Sequence, residues 1–272
     1  MDWSWRPEVA LPLAIAVVAY AVGWARLALR TPCPLRPAAV RRLALALTGL
    51  VVIAVALLGL HDPAHERFLA HMVQHVLLMM IGVPLLLLAN PLTAALWALP
   101  EGVRGVVQAL LVRRSLARRT WDTLTRLPVA WMLYTVVLWT WHVPAAYDAA
   151  LASGWLHDLE HLSFALAAVV FWWPVIAPAP RAASPPTAVG CVVYLVLAAF
   201  SSGALGVLLA ASPAPLYAYG GAPGGLSPLE DQAWGGIVMW VVGGAVDMAA
   251  ILAVVTRVLA GKRPGALTRR VS

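Results

Sequence analysis

Seven runs of about 20 apolar residues recur along this chain, and they constrain its fold more than any other feature. A helix needs about 20 such residues to cross a bilayer core about 30 Å thick. Apolar residues make up 62% of the chain and charged residues 11%, against roughly 45–50% and about 25% in an average soluble domain. We therefore predict an all-α polytopic membrane protein, a single integral membrane domain over residues 1–272 with a seven-transmembrane-helix bundle. The predicted spans are 10–29, 41–60, 69–89, 128–150, 157–178, 187–211 and 232–258.

Lys and Arg residues are distributed unevenly between the two sides of this predicted bundle. The tail, the loops after the first, third and fifth spans and their flanks hold 17 of the 19 Lys and Arg residues, and the opposite side holds only Arg6 and Arg67. Because cytoplasmic loops carry the excess of basic residues, we predict an N-terminus outside and a C-terminus in the cytoplasm. The same distribution accounts for the net charge of +7 without a nucleic-acid partner.

Two connections between the predicted spans carry patterns of their own. Residues 101–119 combine apolar residues at helical spacing with arginines, which is typical of an amphipathic helix on the anionic inner leaflet. The outer stretch 212–231 is rich in Pro and Gly and contains Tyr217 and Tyr219. Because loops of this length are usually functional or disordered, we interpret it as a lid or docking surface.

All seven histidines fall on the outer side of this predicted topology. His71 and His75 are spaced i,i+4 at the start of the third span, and His157 and His161 repeat that spacing at the start of the fifth. The two imidazoles of an i,i+4 pair share one helix face. His142 lies near the outer end of the fourth span, at a depth similar to that of His75 and His161. Three neighbouring helices should therefore present imidazole at one level.

Ionisable groups inside a membrane are costly and by default mark a pathway, a relay or a ligand site. We interpret this group of histidines as a transition-metal site at the outer face. The predicted metal ligands are His71, His75, His142, His157, His161 and Asp231, and the side chains predicted to support them are Glu160, Tyr147, Met72 and Gln74. His61 and His65, in the loop before the third span, are interpreted as incidental.

The residue types point to several metals. Imidazole suits copper, zinc, iron and nickel, and Met sulfur adds affinity for cuprous ion. We expect copper, with zinc or haem as alternatives, since histidines on facing helices also ligate haem. Because neutral imidazole is the ligand form, binding should weaken as the pH falls. Two rival classes remain. One is a membrane enzyme or haem protein that uses the same histidines, and the other is a scaffold or transporter in which the histidines are structural or carry protons.

Other functions fit the sequence less well. A retinal protein needs a membrane-embedded lysine for its Schiff base, and the only lysine, Lys262, lies in the predicted inner tail. Residues 157–161 fit the H-x-x-E-H pattern of zinc peptidases, but a protease also needs a third ligand and a substrate cleft. Cys33 and Cys191 are too few for a disulfide framework. For Asp247, deep in the seventh span, a hydrogen bond between helices is favoured over proton movement.

Small residues and a proline predict local packing. Gly235-Gly236 and Gly243-Gly244 in the seventh span are typical of close helix packing. Pro84 lies within the third span and should kink it beneath the His71/His75 pair. Such a kink would help to open a pocket in the outer half.

Four blocks of sequence in order resemble the multi-span cytochrome c oxidase assembly factor family (CtaG type). They are residues 71–75 with Pro84, Trp141-His142-Val143-Pro144 with Tyr147, residues 157–164 leading to Phe171-Trp172-Trp173-Pro174, and residues 228–232 with Gly235-Gly236 and Met239-Trp240. The resemblance covers about residues 65–245 and is weak in the first helices and the tail. It differs from the single-span copper chaperone of similar name, which uses cysteines.

This resemblance implies a function that the residues alone do not. It implies a multi-pass protein of the bacterial inner membrane that is needed to form active haem–copper oxidase and is not an enzyme. It further implies that copper is handled at the periplasmic face. The partners it implies are cytochrome c oxidase subunits, the lipid bilayer and a periplasmic copper chaperone.

Overall fold

The computed structural model describes residues 6–30, 37–180, 185–220 and 225–261, and every regular element in these ranges is helical. In chain order the helices are α1 (Pro7–Leu29), α2 (Pro37–Gly59), α3 (His61–Glu66), α4 (Phe68–Leu88), α5 (Pro91–Ala98), α6 (Glu101–Leu111), α7 (Leu116–Leu124), α8 (Leu127–Trp141), α9 (Pro144–Ala152), α10 (Gly154–Ile176), α11 (Ala188–Ala210) and α12 (Pro228–Ala260). The residues of the sequence-based predictions that lie outside the described ranges are Cys33, Arg36, Arg181, Lys262, Arg263, Arg269 and Arg270.

Six of these helices, α1, α2, α4, α10, α11 and α12, are long and apolar enough to cross a membrane. Their bounds agree with the predicted spans to within about four residues, as expected for boundaries read from sequence. Large apolar side chains on their outer surfaces, such as Ile15, Val18 and Phe200, are exposed. An apolar surface of this extent is typical of a membrane protein.

The fourth predicted span, 128–150, is divided in the structure. Helix α8 has 15 residues and ends at Trp141, and α9 begins at Pro144. The break follows from Pro144, because a proline disfavours helical backbone at the residue before it. Val143 accordingly has φ −66° and ψ 128°. The continuous span expected over 128–150 is therefore wrong, and α8 alone is shorter than the other candidate spans.

The amphipathic segment predicted over 101–119 is also two helices. Helix α6 ends at Leu111, and α7 begins after Ser115, whose hydroxyl accepts a hydrogen bond from the Arg118 amide at 3.1 Å. Serine is a favoured N-cap because it satisfies one amide that the helix leaves unpaired. Apolar side chains of α6, such as Val106, are exposed, so the amphipathic character was predicted correctly and the single helix was not.

The main core lies between α4, α8, α10, α11 and α12 and is lined by stacked aromatic rings. Tyr134 of α8 stacks on Phe171 of α10 with ring centroids 4.4 Å apart, and Tyr194 of α11 stacks on the same ring at 4.9 Å. Two of these helices contain a π-helical turn, Leu77–Gly82 in α4 and Val238–Val242 in α12. The first lies directly before Pro84. Single π-helical turns inside α-helices are frequent at functional sites.

Close packing of small residues was predicted correctly at one glycine pair only. A Cβ atom on Gly236 would lie 2.5 Å from the Gly206 carbonyl oxygen, so α11 and α12 approach each other through backbone. A Cβ atom on Gly235 would lie 2.4 Å from the Phe68 ring. Gly243 and Gly244 have no such neighbour within 4 Å among the described residues. The prediction of close packing at that second pair is wrong.

Candidate metal centre

Four helical segments bring all seven histidines into one continuous group. His61 and His65 lie on α3, His71 and His75 on α4, His142 directly after α8, and His157 and His161 on α10. The rings form a ladder: His65–His157 centroids are 4.6 Å apart, His157–His71 5.2 Å, His71–His75 4.4 Å and His75–His142 6.3 Å. His65 is exposed, and the other four histidines of this series are buried. The ladder therefore runs from the surface into the bundle.

We call His71, His75, His157, His161 and Glu160 the imidazole cluster. The ligand atoms of His71, His75 and Glu160 lie within 4.8 Å of one another, as do those of His71, His157 and His161. Glu160 lies between the pair on α4, with one oxygen 3.6 Å from His71 Nε2 and the other 3.6 Å from His75 Nε2. An ion between these groups would meet nitrogen and carboxylate oxygen together, a donor set that suits zinc and copper.

Several polar atoms of the imidazole cluster are buried without a hydrogen-bond partner among the described residues. They are both ring nitrogens of His75, His157 and His161, Nε2 of His71, and both oxygens of Glu160. Glu160 is 0% exposed. A buried polar group without a partner costs about 1–3 kcal/mol, so this concentration of them is unfavourable for packing alone. These nitrogen and oxygen atoms fit a bound metal ion, because several of them could ligate it at once.

The tautomer of His71 follows from its hydrogen bonds. Its Nδ1 lies 2.8 Å from the Tyr147 hydroxyl and 3.0 Å from that of Tyr219, and the two hydroxyls lie 2.9 Å apart. Tyr219 donates its proton to the Ala64 carbonyl at 3.1 Å. Only an Nδ1–H that donates to the tyrosines, with Tyr147 donating to Tyr219, avoids two acceptors facing each other. Nε2 then carries the free lone pair and faces Glu160.

This network supports the predicted role of Tyr147 and adds Tyr219, which was predicted only as part of a lid. Burial raises the pKa of Tyr219 above its ordinary value, so the phenol keeps the proton that it donates. Second-shell hydrogen bonds of this kind orient a metal-binding imidazole. Tyr217 does not join them: it stacks on Phe68 and donates to the His142 carbonyl at 3.0 Å.

His142 has its own fixed orientation. Its Nδ1–H donates to the Leu138 carbonyl at 2.7 Å, so Nε2 is the atom left to bind a ligand. It is near His75 but belongs to no group of ligand atoms within 4.8 Å among the described residues. Of the remaining predicted residues, Gln74 is buried with both amide atoms unpaired, and Met72 is buried nearby.

His61 and His65, interpreted from the sequence as incidental, lie within ligand distance of His157. We call these three residues the outer triad. Burial, with Arg6 and His65 as further causes, lowers the pKa of His61 to about 4, so its ring is neutral at neutral pH. The i,i+4 spacing of His61 and His65 equals that of the other two pairs, and this was the signal that sequence reasoning set aside.

Asp231, predicted as a metal ligand, has backbone partners in the structure. Its carboxylate oxygens accept hydrogen bonds from the backbone amides of Phe68 at 2.6 Å and Leu69 at 3.3 Å. It thereby caps the start of α4 from α12, where the helix leaves amides unpaired. It belongs to no candidate metal group within the described part of the chain. The structure thus places Asp231 as a helix cap that holds the His71/His75 helix in position.

An Asp231→Ala variant is expected to lose about 1–2 kcal/mol of stability, the usual cost of losing a cap, and to keep its metal affinity. Thermal unfolding of the detergent-solubilised protein and metal titration of the folded protein measure the two effects separately. Asp231→Asn, which keeps one acceptor oxygen, is the control and should lose less stability. A large loss of metal affinity with unchanged stability would restore Asp231 as a ligand.

Comparisons with known proteins agree with the histidine blocks. The sequence matches the family described as cytochrome c oxidase caa3 assembly factor (Caa3_CtaG) over residues 18–260. No curated protein and no solved structure gave a match. The matched stretch contains all seven histidines and Glu160. Since it covers most of the chain, the resemblance to an oxidase assembly factor is confirmed, and the chain belongs to the cytochrome c oxidase caa3 assembly factor family.

Proposed function

We propose that this assembly factor takes up copper as its cargo at the imidazole cluster and passes it to the oxidase during assembly. The observation that carries this proposal is the set of buried, unpaired nitrogen and oxygen atoms around Glu160. Ligands that include several neutral imidazoles and one carboxylate bind copper well. The outer triad connects the cluster to the surface, which gives the ion a route in and out. The role is one of delivery, and the protein is not an enzyme.

The proposed topology is seven crossings of a bacterial inner membrane, with the N-terminus and the imidazole cluster on the periplasmic side. The uneven distribution of Lys and Arg supports this orientation. Six of the crossings are the long helices, and α8 is the candidate for the remaining one. It is apolar along its length and packs between α10 and α11. At 1.5 Å per residue, 15 residues span about 22 Å, so the bilayer would be locally thin or the loops would complete the crossing.

Copper or zinc has more support than haem as the ligand of these histidines. The cavity bounded by His75 and His142 measures about 30 Å³, whereas pockets for organic ligands are usually about 300–1,000 Å³. Transport of the ion across the membrane is the second candidate, because the ladder continues inward to His142. The oxidase subunits and a periplasmic copper donor are the proposed protein partners.

The test combines metal analysis with a deletion strain. The purified protein, loaded with Cu²⁺ or Zn²⁺ in detergent, should retain stoichiometric metal and show no Soret band. Deletion of the gene should lower oxidase activity and the oxidase absorption spectrum without lowering the oxidase transcript. Absence of stoichiometric metal after loading with either ion would remove the imidazole site from the proposal, and a Soret band would favour haem.

A further inference from the structure

A second group of soft donors lies next to the imidazole cluster. His75 and His142 form one part of the wall of a cavity of about 30 Å³, and four methionines form much of the rest. We call it the thioether cavity; its methionines are Met72, Met79, Met80 and Met239. The chain has seven methionines in all. More than half of them therefore contribute to one small space on the inward side of the histidine ladder.

Three of these four methionines lie on π-helical turns. Met79 and Met80 lie on the π-helical turn Leu77–Gly82 of α4, and Met239 lies on the π-helical turn Val238–Val242 of α12. A π-helical turn contains an extra residue relative to an α-helix and is common at functional sites. Two helices thus carry this irregular turn at the positions that line the cavity.

Packing alone does not account for the cavity. Methionine often fills irregular gaps in a core, but here the wall also includes His75 and His142. Both nitrogens of His75 and Nε2 of His142 are buried without a partner among the described residues. A volume of about 30 Å³ is large enough for one small ion or water, since roughly 10–15 Å³ suffices for a water. The cavity is thus small and lined by residues with two classes of donor, thioether sulfur and imidazole nitrogen.

We propose that the thioether cavity is a second metal site, adjacent to the imidazole cluster and selective for cuprous ion. Thioether sulfur is a soft ligand that selects Cu⁺, whereas Zn²⁺ is held by imidazole and carboxylate. His75 belongs to both sites and joins them. The inference extends the proposed function by giving the two sites different selectivities: the imidazole cluster takes Zn²⁺ or Cu²⁺, and the thioether cavity takes Cu⁺ alone.

The test measures Cu⁺ and Zn²⁺ binding by the full-length protein in detergent, with Cu⁺ kept reduced under anaerobic conditions and titrated against a chromogenic chelator. The Met79→Leu/Met239→Leu double variant keeps the shape of the side chains and removes two sulfurs. It should lose Cu⁺ affinity by about tenfold or more, since even outer-sphere changes cost roughly 10–100-fold, and keep its Zn²⁺ affinity. The copper K-edge spectrum of the wild type should show sulfur scatterers that weaken in this variant.

The matched control is Met132→Leu/Met248→Leu. These two methionines are 60% and 54% exposed, and their replacement should leave Cu⁺ binding unchanged. Equal Cu⁺ affinity in both double variants, or a copper spectrum with nitrogen and oxygen scatterers only, would overturn the inference. Retained Zn²⁺ binding shows that each variant is folded.

The same titrations distinguish this inference from the proposed function. A wild type that binds Zn²⁺ but has no methionine-dependent Cu⁺ site overturns the thioether cavity and leaves the imidazole cluster intact. The His71→Ala/His157→Ala variant removes ligands that do not line the cavity. If this variant binds Zn²⁺ like the wild type while Cu⁺ binding depends on the methionines, the proposed imidazole site fails and the cuprous site stands.

Discussion

Replacement of His71 and His157 by alanine is expected to abolish metal binding at the imidazole cluster and to leave cells without active oxidase. Each candidate group of ligand atoms contains at least one of these two residues, so the double variant leaves none intact. Loss of a single supporting residue usually costs roughly 10–100-fold in metal affinity, and loss of two ligands should exceed that. Zn²⁺ titration of the purified protein and oxidase activity in a complemented deletion strain are the measurements.

A substitution at a buried residue next to the imidazole cluster serves as the control. Phe164 is buried on α10, with its ring centroid 4.6 Å from that of His75. Phe164→Leu should reduce stability by about 1 kcal/mol, as is usual for core substitutions, but it removes no ligand atom and should preserve both metal binding and oxidase activity. Normal oxidase activity with the His71→Ala/His157→Ala variant present at wild-type level would contradict copper delivery through the imidazole cluster.

Glu160→Gln is expected to change stability and metal binding in opposite directions. The wild-type carboxyl is buried without a hydrogen-bond partner among the described residues, which costs about 1–3 kcal/mol. An amide of the same shape carries no charge and can donate to His71 or His75. The metal-free variant should therefore unfold at a higher temperature than the metal-free wild type. Its metal affinity should fall by about 10–100-fold, because the anionic ligand is gone.

Unfolding temperature with and without Zn²⁺ shows both effects in one experiment. At about 1,000 times its dissociation constant a ligand adds about 4 kcal/mol to stability, so the wild type should gain strongly from metal and the variant much less. Glu66→Gln, which changes an exposed acid near the outer triad, is the control and should behave as the wild type. A Glu160→Gln variant that is less stable without metal would show that the carboxylate has a purely structural role.

Hydropathy and spacing were sufficient to predict the helical membrane fold and to find most of the residues that the structure brings together in the imidazole cluster. A run of about 20 apolar residues has few alternatives to a membrane helix, and six such helices are present in the described part of the chain. The i,i+4 spacing of histidines placed two imidazoles on one face of α4 and two on α10. Neighbouring helices then brought the two faces together. Asp231 was assigned to the metal site because an acid near an imidazole group resembles a ligand, whereas its partners are backbone amides of α4.

Features that depend on backbone irregularity could not be predicted. On a regular α-helix Met80 lies about 100° around the axis from Met79, and Met239 is far away in sequence. Met79 and Met80 both lie on the π-helical turn Leu77–Gly82, and both side chains line one cavity. The tyrosine network on His71 depends on Tyr219, which lies in an irregular segment between α11 and α12. Neither feature has a periodic pattern in the sequence.

Arg6, directly before α1, has a practical consequence for work on this protein. Its buried guanidinium pairs with Asp158 of α10 and with Glu8, and it contacts His61 Nδ1 at 3.0 Å. The start of the first helix is thereby tied to the entrance of the histidine ladder. An affinity tag fused ahead of this arginine would crowd the outer triad, and a polyhistidine tag there would compete for the same ions. Tags and fluorescent fusions therefore belong at the opposite terminus of the chain.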